Sequence, residues 1–146
     1  MVSLTCEELL TKSGCRILVT GPKKKCVRAV AANAKVYKGF GQLQILDQGS
    51  LLRTMEQWCA GNSIPDGKHK KNEGRYESGG QSVLRQAFAS QCVRLYGYVE
   101  RIGELEVFTL VDLDIGKKQR KADPVLLEAV GKKALEHRTL IRKLEE

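Results

Sequence analysis

Three clusters of basic side chains are the part of this sequence best suited to chemistry on a charged substrate. They are Lys23, Lys24, Lys25 and Arg28; Lys68, His69, Lys70, Lys71 and Arg75; and Lys117, Lys118, Arg120 and Lys121. Where such groups converge, each contact to a phosphate releases counterions, and binding weakens steeply as salt rises. A run of charges is also typical of a solvated surface, and for any single cluster both interpretations stay open.

The charge of the whole chain supports the first interpretation. The 146 residues include 25 Lys and Arg against 17 Asp and Glu, a formal net charge of +8. A small basic protein attracts polyanions, chiefly nucleic acid, an acidic protein or an anionic membrane. The composition therefore predicts a polyanion-binding protein.

A second group of candidate residues shares one face of a predicted strand. Arg94, Tyr96 and Tyr98 alternate with apolar residues, and Arg85 lies one strand earlier. On an open sheet these side chains would stack on unpaired bases and bind phosphate. The alternative is that both tyrosines pack beneath a helix with their hydroxyls at its edge.

The sequence lacks the motifs of the common nucleophile and nucleotide-binding enzymes. It has no GxGxxG, Walker or HExxH motif and no serine–histidine–aspartate signature. Cleavage of RNA needs none of these, because the ribose 2′-hydroxyl is itself the nucleophile. Lys, Arg, His and Tyr side chains can move its proton and stabilise the phosphorane. The basic loop and the Arg94 strand are compatible with that chemistry, although a lone loop histidine such as His69 is more often a bystander.

The cysteines and histidines predict no metal and no cofactor. Five cysteines stand singly, without a CxxC pair, and the two histidines are far apart in the sequence. Zinc sites need clustered ligands, and isolated thiols suit a reducing compartment. No apolar run is long enough for a membrane span, and the acidic N-terminus is unlike a signal peptide. We therefore expect a cytoplasmic protein.

The pattern of apolar residues predicts an α+β fold in one domain. A capping box at Thr5 begins a short helix, and a strand follows over Cys15–Thr20. Helices are predicted over residues 23–39, with a basic face, and over Ser50–Ala60. Three strands are predicted over residues 82–89, 92–101 and 105–115, and Asp123-Pro124 begins the last helix. We expect two layers, with N-terminal helices packed on a three- to four-stranded antiparallel sheet and a C-terminal helix.

The order of these motifs resembles a known family. The stretch GKKQRKADPVLLEAVGKKA follows the strand VFTLVDLDI, as in the ending of RelE/ParE-superfamily toxins, particularly the phage-derived HigB-like branch. Lys117, Lys118, Lys121, Pro124 and Ala129 match its basic segment and helix. Upstream, SVLRQAF and CVRLYGYVERIG look like the paired central strands of the family. The resemblance covers roughly residues 35–135, so residues 1–30 look like an addition, and Gly116 departs from the pattern.

The resemblance implies a toxin of a type II toxin–antitoxin system, a ribosome-dependent mRNA endonuclease that inhibits translation. Its partners would be a cognate antitoxin, mRNA and the ribosome. Carried over by position, the catalytic candidates are Lys68, His69, Lys70, Arg85, Arg94 and Tyr96. The RNA-binding candidates are Lys71, Arg75, Tyr98, Lys117, Lys118, Arg120 and Lys121. The family also includes gyrase-binding members without nuclease activity, so a non-catalytic protein that binds gyrase or nucleic acid is the alternative.

Overall fold

The N-terminal segment begins with the expected capped helix. The computed structural model describes residues 3–22, 27–116 and 123–146. Helix α1 (Cys6–Lys12) starts where the Glu8 amide donates to Thr5 Oγ1 at 3.2 Å and the Thr5 amide donates to Glu8 Oε1 at 3.1 Å. Strand β1 (Cys15–Thr20) follows. Both predictions for this segment are confirmed.

The basic helix predicted over residues 23–39 is wrong over residues 28–33, and residues 23–26 of that prediction lie outside the described residues. Residues Arg28–Asn33 form strand β2, and helix α2 (Ala34–Gly41) begins only after Asn33, whose Oδ1 accepts from the Val36 amide at 2.9 Å. Four consecutive residues of β2, Ala29–Ala32, are fully buried. A run of small apolar residues suits a central strand covered on both faces, and its pairing with two neighbours outweighs the helix propensity of alanine.

Helix α3 (Ile45–Cys59) begins five residues before the predicted start at Ser50. It ends as predicted, because Gly61 has a φ of 79° and the Asn62 amide donates to the Gln57 carbonyl at 2.9 Å. A left-handed glycine followed by this bond is the common way to close a helix. The stripe of Leu51, Met55 and Trp58 packs on the sheet.

The described residues from 69 onward form six strands and one helix. The strands are β3 (His69–Lys70), β4 (Arg75–Ser78), β5 (Gln81–Leu84), β6 (Gln86–Ala89), β7 (Val93–Ile102) and β8 (Leu105–Ile115). Helix α4 (Pro124–Glu145) is preceded by Asp123, which is its N-cap as predicted. The predicted run over residues 82–89 divides between β5 and β6, which belong to different sheets.

The expected three- to four-stranded antiparallel sheet is wrong. The described residues form a six-stranded mixed sheet in the order β1-β2-β8-β7-β6-β3 and a separate β4-β5 hairpin, with four helices. Strand β2 is parallel to β8, whereas the other pairs are antiparallel. The fold is still α+β, but β1 and β2 widen the sheet and helices cover both of its faces.

Two apolar layers hold those helices on the sheet. On one face, α2 and α3 pack with Phe88, Leu95 and Phe108. On the other face, α1 and the end of α4 share one cluster with Ala31 and Val107, while the rest of α4 and the β4-β5 hairpin cover Tyr96 and Tyr98. We call these the α3 face and the α4 face. Among the described residues, the apolar side chains on both faces of the six-stranded sheet are therefore covered by helices or by the β4-β5 hairpin.

A bulge in β8 changes which side chains share a face. Gly97 pairs with Leu110 and Tyr96 pairs with Asp112, so Val111 is the extra residue. The alternation of the sequence predicts Asp112 on the same side as Phe108 and Leu110. Because directly paired residues point to one face, the bulge instead puts Asp112 beside Tyr96 on the α4 face.

Candidate nucleic-acid interface

His69 lies on the α3 face, apart from the other catalytic candidates. Its ring is buried against Phe88 and Phe108, with centroid distances of 5.3 and 5.9 Å. Its Nε2 is 3.1 Å from Gln86 Oε1. Burial lowers the pKa of His69, and the hydrogen bond to Gln86 only partly opposes this. The side chain is therefore a mostly neutral group in the apolar layer at neutral pH.

Tyr96 and Tyr98 lie on the opposite face of the sheet, beneath α4. Both rings are fully buried in the cluster that includes Val130 and Ala134. Burial raises the pKa of each phenol, although Arg94 beside Tyr96 opposes the rise for that residue. This arrangement corresponds to packing beneath a helix. Neither ring is available in this structure for stacking on a base.

The two arginines predicted on the sheet are engaged within the protein. The Arg85 guanidinium donates to the Gly74 carbonyl at 3.1 Å and to the Leu127 carbonyl at 2.8 Å, which ties α4 to the segment before β4. Arg94 lies 3.8 Å from the Glu73 carboxylate. Arg85 thus acts as a structural brace, whereas Arg94 is a half-buried charge next to Tyr96.

Only two residues of the basic loop at residues 68–71 form a strand, β3. Lys68 and Lys71 are exposed, and Lys70 in β3 pairs with Ala87, which in turn pairs with Tyr96. Lys70 therefore shares the α4 face with Arg94 and Tyr96, while His69 does not. Arg75 is exposed in the β4-β5 hairpin and donates to Ser82 Oγ at 2.9 Å.

The remaining binding candidates lie outside the described residues. They are Lys117, Lys118, Arg120 and Lys121. Lys23, Lys24 and Lys25 of the first basic cluster also lie outside the described residues. The sequence joins the former group directly to Gly116 at the end of β8.

The arrangement that the sequence did not predict is a pair of lysines on a buried carboxylate. Lys35 Nζ, from α2, is 2.9 Å from Asp112 Oδ1, and Lys133 Nζ, from α4, is 2.8 Å from Asp112 Oδ2. The side chains of Lys35 and Lys133 are 60% and 36% exposed, whereas that of Asp112 is only 3% exposed. We call these three residues the lysine pair site.

Hydrogen bonds within the lysine pair site favour the charged forms of Asp112 and Lys35. Burial alone raises the pKa of Asp112, but hydrogen bonds from Lys133 and Lys35 outweigh it and leave that pKa lowered. The hydrogen bond to Asp112 raises the pKa of Lys35. Two ammonium groups share one carboxylate, so the site keeps one net positive charge. Each ammonium has three donors, and the exposed ones can bind an anion.

Sequence reasoning missed the lysine pair site for an identifiable reason. Asp112 joins the α4 face only because of the bulge at Val111. The neighbouring strand β2 ends at Asn33, so that the Lys35 side chain can pass the end of β2 and contact Asp112 on β8. Three residues from three distant segments converge. The available signal was an acidic residue, Asp112, between the apolar residues Val111 and Leu113 of β8, because an acidic residue in such a position seldom lies buried without a partner.

A second polar group missed by the sequence analysis is buried between α4 and the N-terminal segment. Tyr98 Oη is 2.6 Å from His137 Nδ1, and His137 Nε2 is 2.9 Å from Ser13 Oγ. The Cys15 sulfur lies 3.4 Å from the same nitrogen, but burial raises the pKa of this thiol to about 11. A protonated, buried thiol is a poor nucleophile, so the group resembles a structural network rather than a catalytic dyad.

Two further structural findings bear on the expected ligands. Across residues 3–22, 27–116 and 123–146, no three His, Cys, Asp or Glu residues group in a way that could hold a metal ion. In the same ranges, no helix is long and apolar enough to cross a membrane. Comparisons of the chain with protein-family models, curated proteins and solved structures found no match.

Proposed function

We propose that this protein binds nucleic acid through its phosphate backbone, and that the lysine pair site is one of its contact points. The observation that carries the proposal is the convergence of Lys35 and Lys133 on Asp112. A buried carboxylate fixes two exposed ammonium groups that would otherwise be mobile. Fixing them lowers the conformational entropy that a lysine loses when it binds a phosphate.

The charges around this site support the proposal. Lys38 follows Lys35 by one helical turn on α2 and is exposed. The sequence then adds four basic residues, Lys117, Lys118, Arg120 and Lys121, between β8 and α4, the two elements that carry Asp112 and Lys133. Together with the net charge of +8, this composition suits repeated phosphate contacts rather than the binding of one small anion.

The test is the salt dependence of binding to labelled single-stranded RNA and DNA of one sequence. The variant Lys35→Ala/Lys133→Ala should lower the slope of log K against log salt by about 1.4, because two phosphate contacts contribute about 0.7 each on a single strand. The matched control is Lys12→Ala/Lys143→Ala, which removes two exposed lysines away from the lysine pair site. It should change the slope by much less.

A third variant separates binding from folding. Removing both lysines leaves the buried Asp112 carboxylate without its ion-pair partners. An unpaired buried charge usually lowers the free energy of unfolding by several kcal/mol. Lys35→Ala/Asp112→Asn/Lys133→Ala also removes the carboxylate and should give the same reduced slope with a circular dichroism spectrum like that of the wild type. An unchanged slope in the folded triple variant would contradict the proposal. Equal binding of RNA and DNA is expected, since both offer the same phosphates.

The second candidate function is the mRNA endonuclease toxin, neutralised by an antitoxin. The observation that favours it is that Lys70, Arg94 and Tyr96 share the α4 face, which provides three of the expected groups in one region. Tyr96 is buried under α4, so substrate would need that helix to move. Primer-extension mapping after induced expression should show new transcript ends that are absent for Arg94→Ala and present for the exposed control Arg101→Ala. Intact message in growth-arrested cells would exclude this function.

A further inference from the structure

Strand β1 forms one edge of the six-stranded sheet. It pairs with β2 over residues 15–20, and no described strand pairs with its other side. The peptide groups on an unpaired edge can bind an extended chain as an additional strand. A register shift between Ile17 and Val19 displaces Leu18 from regular pairing, and such bulges restrict which chains can add to an edge.

A groove lies beside this edge, between the end of β1 and α3. Its volume is about 780 Å³. The apolar part is made by Leu18, Val19 and Leu52, which are half-buried and pack against the core on the α3 face. Arg53, Glu56 and Gln57 of α3 form the polar part. A groove of this kind accepts an aliphatic side chain of a strand that pairs with β1, because alternate side chains of a strand point to one face.

The charges along the edge favour an acidic ligand. Arg16 is exposed on β1, with its guanidinium carbon 5.2 Å from the centroid of the Tyr37 ring, and Arg53 lines the groove from α3. Glu56 is the one acidic residue that lines the described groove. Pairing of two copies through β1 would bring two Arg16 side chains to a shared edge and two chains of charge +8 together. Charge therefore disfavours a second copy and favours a partner of opposite sign.

We propose that the β1 edge and its groove bind an extended, acidic segment of a partner protein. Its backbone pairs with β1, one aliphatic side chain enters the groove at Leu18 and Leu52, and its carboxylates contact Arg16 and Arg53. This proposal is independent of nucleic-acid binding, because none of these residues belongs to the lysine pair site.

The probe for the test is a fluorescein-labelled peptide of about seven residues, Thr-Glu-Thr-Leu-Thr-Glu-Thr, which is long enough to span β1 and whose leucine and two glutamates point to one face of the strand. A peptide with lysine at each acidic position is the control. The acidic peptide should bind with a dissociation constant below about 1 mM by fluorescence anisotropy. It should also slow hydrogen exchange of the β1 amides, whereas the lysine peptide should do neither.

Variants of the protein show whether the binding occurs at this edge. Arg16→Glu/Arg53→Glu should weaken binding at least about tenfold, and Ala60→Trp, which fills the groove, should do the same. Lys132→Glu and Thr139→Trp are exposed changes on α4 and should leave binding unchanged. The proposal fails if the acidic peptide does not bind, if the edge variants bind as wild type does, or if sedimentation shows that the β1 edge is already occupied by a second copy.

Discussion

The His137 imidazole lies between two hydroxyl groups, and its hydrogen bonds define its protonation state. Ser13 Oγ donates to the Leu10 carbonyl at 2.9 Å, so its oxygen accepts from His137 Nε2. The other ring nitrogen, Nδ1, then carries no proton and accepts a hydrogen bond from Tyr98 Oη. Every group in this network has a partner only while the imidazole is neutral. Burial lowers the pKa of His137 to about 4, which is consistent with that tautomer.

The stability of the protein should therefore fall on mild acidification. In the unfolded chain the His137 imidazole has its ordinary pKa of 6.5, whereas in the folded protein its pKa is about 4. Unfolded chains thus bind more protons in this window, and the free energy of unfolding decreases as pH falls through it, by at most about 3 kcal/mol. Above the window the contribution is complete.

Urea unfolding between about pH 7 and about pH 4.5 measures this effect. His137→Gln removes the titrating group, so its free energy of unfolding should fall less over this range than that of the wild type. The matched control is Gln57→Asn, an exposed change on α3 that leaves both histidines in place and should keep the wild-type pH dependence. Identical pH dependence of the wild type and His137→Gln would show that the imidazole is not held neutral.

At the scale of elements, local signals predicted the helix ends better than the sheet. The capping box at Thr5, the left-handed Gly61 and the Asp123 cap are chemistry of a few adjacent residues, and all three are present. Strand β2 was missed because its alanines favour a helix until β1 and β8 pair with both of its edges. Those neighbours come from distant parts of the chain, and no local pattern encodes them.

The bulge that brings Asp112 to the α4 face also requires a glycine at position 97. A Cβ at Gly97 would overlap the Thr109 carbonyl oxygen on β8, which is backbone and cannot yield without moving the strand. Gly97→Ala should therefore lower the free energy of unfolding by about 3 kcal/mol.

The matched control for this substitution is Gly41→Ala. Gly41 ends α2 and does not have a positive φ, and a methyl group added to its Cα would meet no atom within 4 Å. Alanine there should leave stability unchanged or raise it by about 0.5 kcal/mol. Chemical denaturation of both variants gives the comparison. Similar stabilities of the two would mean that β8 shifts freely at the bulge.

At the scale of the whole molecule, the described part of residues 1–30 is built into the core. Cys6, Leu9 and Leu10 of α1 are buried with Ala29 and Ala31 of β2, and Ile141 of α4 belongs to the same cluster. The family resemblance suggested that this segment is an addition. Its side chains nonetheless close the α4 face, and β1 completes the sheet.

Deleting residues 1–22 should therefore unfold the protein or leave it aggregated. Losing burial of three apolar side chains costs about 5 kcal/mol, which is comparable to the total stability of a small domain. Thermal unfolding followed by circular dichroism checks this. A truncated chain that unfolds cooperatively near the wild-type midpoint would show that the rest of the fold does not depend on these residues.

The candidate site was less predictable than the fold because it depends on tertiary placement. The composition indicated a polyanion ligand, and the strand pattern correctly grouped Arg94 with Tyr96. It did not reveal that His69 and Tyr96 lie on opposite faces of the sheet or that helices cover both faces. Asp112 and its lysines could be found only once α2, β8 and α4 were placed in space.

The parallel pairing of β2 with β8 has a consequence for how the chain is made. Arg28 pairs with Glu106 and Ala32 with Leu110, so β2 acquires this neighbour only when the later strand exists. During synthesis, β1 and β2 emerge from the ribosome long before β8 does. The side of β2 that later pairs with β8 stays open for most of translation, a state in which strands of other nascent chains can compete for it. Completion of the sheet is therefore a late event, after the ribosome has passed residue 115.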